Sequence, residues 1–357
     1  MNKLTLIVDT NWLLISRMSV LMKGFSNDNT DVVKESTQLE LEELMAKSLN
    51  VILNRFPVID NVVLVADGGS WRKQLPIPKS LEEIKYKGNR SQTSDLDWNY
   101  IWGAQNEFLE NCKKEGITVS HGWEVEGDDW VWYWSRRLNG EGVNCIIWSS
   151  DNDLKQLVQT DKATGAFTMW YNDKSGMWLP SSIEDNGDGV DWFFQVRYYS
   201  PTLEALKKHC RKIEYVDPNS IITSKVICGD SGDNIKSIFR YEKNNRVYRI
   251  SEKEWEKYGS DLNIRTIEDV MNGKNRIVES ICSSKKYSPY HPMKEELEEM
   301  IDYNIKLVWL NESVIPDTII QFMNQQEYKM FDIPYFKSNY KILIRSNDMI
   351  EDIFNSI

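Results

Sequence analysis

The sequence predicts an α/β fold with a mainly parallel central sheet flanked by helices. Three short apolar runs, rich in β-branched residues, each lead to an aspartate: LTLIVD to Asp9, NVVLVAD to Asp67 and CIIWSSD to Asp151. Runs of this kind, separated by segments of helix length, are typical of parallel strands buried on both faces. Ligands of open α/β sheets bind beyond the carboxyl ends of the strands. We therefore expect the three aspartates to face one crevice.

The segments between and after these runs carry helix and hairpin signals. TQLELEELMAKSLNVILNRF has the apolar spacing of an amphipathic helix, and GDDWVWYWSRRLNG has acids in its first turn and arginines near its end, as the helix dipole favours. FTMWYNDKSGMWLPSS alternates around a turn and predicts a hairpin. Further helical patterns follow residue 216. We expect a first domain over residues 1–215 and a mostly helical second domain over residues 216–357.

Composition and charge restrict the class of protein. The net charge of −11 disfavours a nucleic-acid partner unless many acids are gathered as metal ligands. No apolar run is long enough to span a bilayer, and no signal-peptide pattern is present, so we expect no membrane partner and a cytoplasmic location. The chain has no GxxxxGK[ST] or GxGxxG motif, which disfavours nucleotide-driven and dinucleotide enzymes.

A basic segment follows Asp67. GGSWRKQLPIPKSLEEIKYKGNRSQTSDLDW contains an excess of lysine and arginine over acids in its first part. Beside an acidic crevice, such a segment indicates a clamp for a polyanion. A solvated surface loop is the alternative interpretation.

The remaining candidate acids occur in clusters. EVEGDD, SDND and GDSGDN contribute Glu126, Asp128, Asp129, Asp151, Asp153, Asp230 and Asp233. Two carboxylates about 4 Å apart repel by about 4 kcal/mol at an effective dielectric constant near 20, so several pairs in one cleft require raised pKa values or cations. Ligation by oxygen alone favours Mg²⁺ or Mn²⁺, and two such ions can assist phosphodiester hydrolysis. Each cluster by itself also fits a helix cap or a turn.

Six motifs in order resemble one known family. VDTNWLL, VADGGSWRK, YKGNR, EVEGDD, SSDNDLKQLV and GDSGDNI follow the order of the 5′-nuclease (flap endonuclease) superfamily, with an organisation similar to the ribonuclease H of T-even phages. The resemblance extends from Asp9 to about Ile235. It implies a PIN-like core, a helical arch over about residues 70–105 and a C-terminal region that binds duplex. The glycine-rich hairpin usual after the last motif is absent, so no potassium site is expected.

The resemblance assigns roles residue by residue. The implied metal ligands are Asp9, Asp67, Glu126, Asp128, Asp129, Asp151, Asp153, Asp230 and Asp233, for two or more Mg²⁺ ions that Mn²⁺ can replace. The implied catalytic residues are Lys87, Asp151 and Asp153, with Lys87 stabilising charge on the phosphate. The expected nucleic-acid-binding residues are Arg72, Lys73, Tyr86, Lys87, Arg90, Lys236, Arg240 and Arg246.

The activity implied is a 5′→3′ exonuclease and flap endonuclease acting on RNA–DNA hybrids and on nicked or flapped duplex DNA, with primer removal in phage replication as its role. The alternatives are a catalytically silent structure-specific binder and a PIN-like ribonuclease of single-stranded RNA. We expect a monomer.

Two further segments have a choice of interpretation. The C-terminal SNDMIEDIFNSI is either a packed helix or a docking peptide for a sliding clamp or single-strand-binding protein. The tryptophans of DDWVWYWSRR favour core packing over base stacking.

Overall fold

The computed structural model of the protein describes residues 3–22, 33–81, 85–89, 98–181, 212–244, 246–287 and 294–344. These residues form two compact units. The first contains the described residues within Met1–Gly69, Asp95–Val216 and Phe322–Ile357, and the second those within Ser70–Ser94 and Asp217–Gln321. Arg90 and the C-terminal SNDMIEDIFNSI lie outside the described residues.

The first unit is built on a seven-stranded sheet. Its strands are β1 Leu4–Asp9, β2 Asn61–Val65, β3 Thr118–Ser120, β4 Asn144–Trp148, β5 Thr168–Asn172, β6 Gly176–Pro180 and β7 Ile213–Val216. Their order is β3-β2-β1-β4-β5-β6-β7, and every neighbouring pair is parallel except the β5–β6 hairpin. The mainly parallel sheet and the hairpin predicted from the sequence are confirmed.

Helices flank the sheet and fill the second unit. In chain order they are α1 Thr10–Met22, α2 Val33–Arg55, α3 Trp98–Lys114, α4 Gly127–Gly140, α5 Pro218–Cys228, α6 Glu252–Asp261, α7 Ile267–Asn272, α8 Lys274–Ser283, α9 Lys294–Val308, α10 Asp317–Met323 and α11 Ile333–Asn339. Short 3₁₀ helices lie at Trp71–Gln74, Lys79–Leu81, Asn152–Leu157 and Tyr340–Leu343. Among the described residues, no helix combines the length and apolarity that a bilayer crossing needs.

The core of the first unit takes in the C-terminal segment as well as the sheet. Phe336 is fully buried in the same cluster as the strand residues Leu6 and Leu64. The segment is also tied to the sheet by hydrogen bonds, because the Asn61 side chain donates to the Lys329 carbonyl at 2.7 Å and accepts from the Phe331 amide at 3.1 Å. Residues 322–344 therefore belong to the sheet unit.

The tryptophans of α4 lie in the interior. Trp130 and Trp134 are fully buried, and Trp134 Nε1 donates to Ser120 Oγ at 2.9 Å. Core packing, the favoured interpretation of this aromatic run, is confirmed for these two rings. Burying rings of this size supplies a large share of the apolar area that stabilises the unit.

The second unit has a separate hydrophobic core. Leu81 and Tyr86 pack in it with residues of α5, α6 and α9. The buried Asn304 side chain joins two segments by donating to the carbonyls of Val226 at 2.8 Å and Lys236 at 2.9 Å. A two-stranded hairpin, β8 Arg240–Lys243 and β9 Arg246–Arg249, belongs to this unit.

The two units are made of interleaved chain segments, whereas the sequence predicts two consecutive domains. The physical reason is the burial of side chains far along the chain from the rest of their core. Phe336, from the C-terminal half, packs in the core of the first unit, and Leu81 and Tyr86, from the N-terminal half, pack in the core of the second. The assignment of residues 1–215 and 216–357 as functional domains stays a prediction.

We predict that Phe336→Ala lowers the free energy of unfolding by about 3–5 kcal/mol, because it leaves a cavity in the first core. The neighbouring Tyr335, 52% exposed, is the matched control, and Tyr335→Ala is expected to change stability by no more than about 0.5 kcal/mol. Urea unfolding of the full chain measures both. Equal effects of the two substitutions would contradict the packing of α11 into the sheet core.

Candidate active site

The pairing of three strands places the predicted aspartates at one edge of the sheet. β1 lies between β2 and β4, in parallel register, with Asp9 opposite Val65 and Val8 opposite Trp148. Asp9 is the last residue of β1, Asp67 follows β2, and Asp151 follows β4. The carboxyl ends of the three strands therefore bring these residues to a common edge, as the strand pattern predicts.

The carboxyl of Asp9 is strongly perturbed. Its pKa is raised to about 7, mainly by burial and to a smaller extent by the negative charges of Asp67 and Asp151, against the lowering effect of hydrogen bonds from the Trp12 amide at 3.0 Å and Ser149 Oγ at 2.8 Å. Asp9 thus interacts electrostatically with both of the other aspartates. Near neutral pH, a proton or a cation is needed to relieve the charge at Asp9.

A close backbone contact brings the start of α4 toward Asp67. The Gly68 amide donates to the Val125 carbonyl at 2.9 Å, and the Glu124 amide donates back to the Gly68 carbonyl at 3.1 Å. A Cβ on Gly68 would lie 2.2 Å from the Gly122 Cα, so only glycine fits there. This close backbone contact has a conformational cost, because Trp123 and Glu124 adopt left-handed φ angles of 40° and 55°, which residues other than glycine rarely adopt.

A further group of acids, Glu126, Asp128 and Asp129, lies at the N-terminus of α4. The Gly127 amide donates to Asp67 Oδ1 at 2.5 Å, which joins the end of β2 directly to the start of α4. Glu126 and Asp129 are 4% and 0% exposed, and Asp128 is partly buried. Carboxylates beside a helix N-terminus are stabilised by the helix dipole, so this position tolerates buried negative charge better than a generic core site.

Asp151 and Asp153 form a local cap. Asp151 precedes the 3₁₀ helix Asn152–Leu157, and its Oδ1 accepts from the Asp153 amide at 2.8 Å. The Asp151 amide in turn donates to Ser149 Oγ at 3.0 Å. The capping interpretation is therefore realised for Asp151, and the cap fixes the direction of its carboxylate at the sheet edge.

Asp230 and Asp233 belong to the second unit, where they organise a loop. The Lys225 ammonium forms an ion pair with Asp230, and the Gly232 amide donates to Asp230 Oδ1 at 2.7 Å. Burial opposes ionisation of Asp230, but the hydrogen bond and charge of Lys225 prevail and lower its pKa. The Asp233 carbonyl accepts from the Lys87 amide at 2.9 Å.

The YKGN segment of the predicted arch is held against this loop. Lys87 has a left-handed φ of 54°, Asn89 Nδ2 donates to the Ser231 carbonyl at 2.7 Å, and Asn234 Nδ2 donates to the Lys85 carbonyl at 2.9 Å. Tyr86 is 8% exposed, and its hydroxyl donates to Asp233 Oδ2 at 3.4 Å. The ring of Tyr86 is thus mostly packed in the second core, which leaves little of it for base stacking in this conformation.

The expected nucleic-acid-binding cations differ widely in exposure. Arg72 is 1% exposed, and its guanidinium lies 4.5 Å from the centre of the Trp71 ring. Lys73 and Arg246 are exposed, and Lys236 and Arg240 are partly buried. Burial lowers the pKa of Arg240. Of this set, Lys73 and Arg246 offer their charge most directly to a polyanion.

The acids of the sheet edge fit a hard divalent ion by their donor chemistry. They offer carboxylate oxygens, the ligands that Mg²⁺ and Mn²⁺ prefer, and the neighbouring negative charges that raise the pKa of Asp9 are the charges a cation would neutralise. In the part of the chain that the structure describes, no group of three or more Asp, Glu, His or Cys side chains has the arrangement of a formed metal site. The metal-ligand assignments remain predictions.

Three polar residues that support the edge escaped the sequence analysis. Ser149 contacts Asp9 and the Asp151 amide, as described above. Asn11 Oδ1 accepts from Gln105 Nε2 at 2.7 Å and from the Asp67 amide at 3.4 Å. Ser149 and Asn11 each lie two residues from a candidate acid, which is a usable signal, but Gln105 lies on α3 and nothing in its local sequence marks it.

Comparison with known proteins establishes the fold. No family model and no curated protein sequence matches the chain significantly. Among solved structures, the chain shares its fold with bacteriophage T5 nucleases. It is similar to bacteriophage T5 5′-exonuclease with bound zinc ions, at a TM-score of 0.52 and 16% identity over 96% of this chain and 100% of that one.

Two further structures of bacteriophage T5 give the same result. A flap endonuclease variant in a pseudo-enzyme–product complex with DNA and metal ions matches at a TM-score of 0.51 and 16% identity, and a protein co-crystallised with metal ions matches at 0.50 and 18%. Each match covers 96% of this chain and 100% of the other. At these identities the likeness defines the fold.

We predict that Gly68→Ala destabilises the protein by about 1–3 kcal/mol, because its methyl group would overlap the Gly122 backbone. Gly140→Ala is the matched control, since a Cβ there has no neighbour within 4 Å. Urea unfolding provides the comparison. A stability loss at Gly140 as large as that at Gly68 would refute the close-contact explanation.

We also predict a pH-dependent effect of Asp9→Asn in the presence of a chelator. Because the folded state raises the Asp9 pKa from 3.8 to about 7, the protonated carboxyl adds stability that is complete below pH 3.8 and lost as the pH rises through about 7. Asparagine does not ionise, so the variant does not lose this stability as the pH rises. The stability gain of the variant should grow between pH 4 and 7, reaching at most about 4 kcal/mol.

Thermal unfolding of wild type and Asp9→Asn from pH 5 to pH 8 measures this difference. A gain that stays constant with pH would show that Asp9 ionises in the folded protein as it does in the unfolded chain. Adding Mg²⁺ at pH 8 should raise the melting temperature of wild type more than that of the variant, a readout that does not depend on catalysis.

Proposed function

We propose that this protein is a metal-dependent 5′→3′ exonuclease and flap endonuclease. It would hydrolyse phosphodiester bonds at the 5′ ends of RNA–DNA hybrids and of nicked or flapped duplex DNA. The observation that carries the proposal is the electrostatic coupling of Asp9 to Asp67 and Asp151 at the carboxyl edge of three adjacent parallel strands. The T5 flap endonuclease complex with DNA and metal ions, which has the same fold, supports a nucleic-acid substrate.

The acids of the first unit are proposed to hold Mg²⁺, with Mn²⁺ able to replace it. Bound there, the ions would act as Lewis acids toward the phosphodiester and stabilise the leaving oxygen. Asp9, Asp67 and Asp151 have their carboxylates oriented by main-chain amides of Trp12, Gly127 and Asp153. Asp128 and Asp129 present further oxygens from the first turn of α4.

Lys87 is proposed to balance negative charge on the substrate phosphate. Its Nζ lies 5.0 Å from the centre of the Tyr86 ring, and its backbone is fixed by the bond to Asp233. Asp230 and Asp233 keep their proposed ligand role, although both carboxylates already accept hydrogen bonds within the second unit. The proposal also includes ribonuclease H activity and the removal of RNA primers during phage replication. It further includes a monomeric state, a cytoplasmic location and a sliding-clamp or single-strand-binding partner.

The deciding experiment compares a 5′-labelled flap duplex, an RNA–DNA hybrid and single-stranded RNA, each with Mg²⁺. We predict short 5′ products from wild type, and a loss of at least about 100-fold in Asp151→Asn, because even residues that only orient metal ligands contribute about 10–100-fold. Glu110→Gln is the matched control, since Glu110 lies exposed on α3. It should cleave like wild type.

The other outcomes select the alternatives. Binding of the flap duplex without cleavage by wild type, with Mg²⁺ or Mn²⁺, would favour a structure-specific binder. Preference for single-stranded RNA would favour a PIN-like ribonuclease. Equal rates for wild type and Asp151→Asn would remove the carboxylate site from the mechanism.

A further inference from the structure

A second polar site lies in the first unit, in a cavity of about 410 Å³ between α1, α2 and the ends of β4 and β5. Arg17 on α1 and Lys47 and Arg55 on α2 line it, together with Trp148 and Asp173. The described lining residues thus carry three cations and one carboxylate. This charge is opposite in sign to that of the aspartate edge.

The cavity also has an excess of hydrogen-bond donors. Arg17 Nε and Trp148 Nε1 are both buried, and neither has an acceptor within hydrogen-bond distance among the described residues. Trp130 Nε1 and Trp170 Nε1, which do not line this cavity, are buried without an acceptor in the same way, so the charge of the lining, rather than these two donors, indicates the class of ligand.

The single acid among the described lining residues, Asp173, is already hydrogen-bonded. Asp173 Oδ1 accepts from Arg55 Nη1 at 2.5 Å, and Arg55 also donates to the Tyr171 hydroxyl. Arg17 and Lys47 therefore supply the net positive charge of the site. Lys47 is exposed on α2, whereas Arg17 on α1 is partly buried.

Apolar surface adjoins these charges. Val20 and Val51, 53% and 49% exposed, line the cavity with Leu44 and Ile52. A cavity of this volume is in the range that holds a small organic ligand, and it is larger than a bare phosphate requires. The combination suits a ligand with a phosphate at one end and a flat apolar body at the other.

We propose that this cavity binds a phosphate-bearing nucleotide, with its phosphate on Arg17 and Lys47 and its base against Val20 and Val51. The nucleotide has two sources, a free nucleoside monophosphate or the terminal nucleotide of a strand. None of the described lining residues is a candidate acid of the aspartate edge, and the proposal does not depend on the proposed nuclease activity.

Isothermal titration of the full chain in a chelator tests the site with dAMP, inorganic phosphate and a 5′-phosphorylated oligodeoxynucleotide. We expect Arg17→Gln to weaken dAMP or oligonucleotide binding about tenfold or more, since charged hydrogen bonds of this kind contribute strongly. Lys47→Gln, at an exposed position, should weaken it severalfold without affecting folding. Asp173→Asn should strengthen it, because it removes the one carboxylate found among the described residues of the lining.

Lys113→Gln on the exposed end of α3 is the matched control and should bind like wild type. Binding of the oligonucleotide alone identifies a strand terminus as the ligand, and comparable binding of dAMP identifies the free nucleotide. Phosphate binding as tightly as either would overturn the nucleotide assignment. Any of three results would overturn the site. The wild type does not bind, or both Arg17→Gln and Lys47→Gln bind with wild-type affinity, or Asp151→Asn loses binding to the same degree as Arg17→Gln.

Discussion

The parallel pairing of β2, β1 and β4 is the constraint on which the rest of the molecule depends. The three strands are buried on both faces, so their polar residues can reach solvent only where the strands end. Parallel direction then brings three such ends to one edge. The cost is visible in the pKa of Asp9, which burial at the strand end raises most and the neighbouring charges of Asp67 and Asp151 raise less.

Main-chain amides help to hold these acids in place. Asp9, Asp67 and Asp151 each accept a hydrogen bond from a backbone N–H a short distance away. Amide donors stabilise a carboxylate without neutralising it, so the negative charge stays available to a cation. Lysine or arginine in the same positions would have fixed the geometry but cancelled the charge that a metal site requires.

The sequence predicts what local periodicity determines, and little beyond it. The three strands, the hairpin and α4 each have a local pattern that is typical of the element observed. The return of Phe336 to the sheet core, the contact of Gly68 with Gly122 and the burial of Arg72 and Tyr86 are set by residues distant along the chain, and no local pattern encodes them. The basic segment predicts that its charged and aromatic residues are available to a nucleic acid. The structure instead buries two of them, Arg72 and Tyr86.

Charge arrangement also explains how a chain with a net charge of −11 can be proposed to bind a polyanion. Within the first unit, β4 ends in Trp148, which lines a cavity with three cations, and continues through Ser149 to Asp151 at the acidic edge. The ring of Trp148 packs edge-on against Trp12, three residues after Asp9. Regions of opposite charge are thus fixed to the same strand end, and net charge averages over both. Because attraction between charges is screened over about 8 Å at physiological salt, a phosphate responds to these local fields rather than to the total.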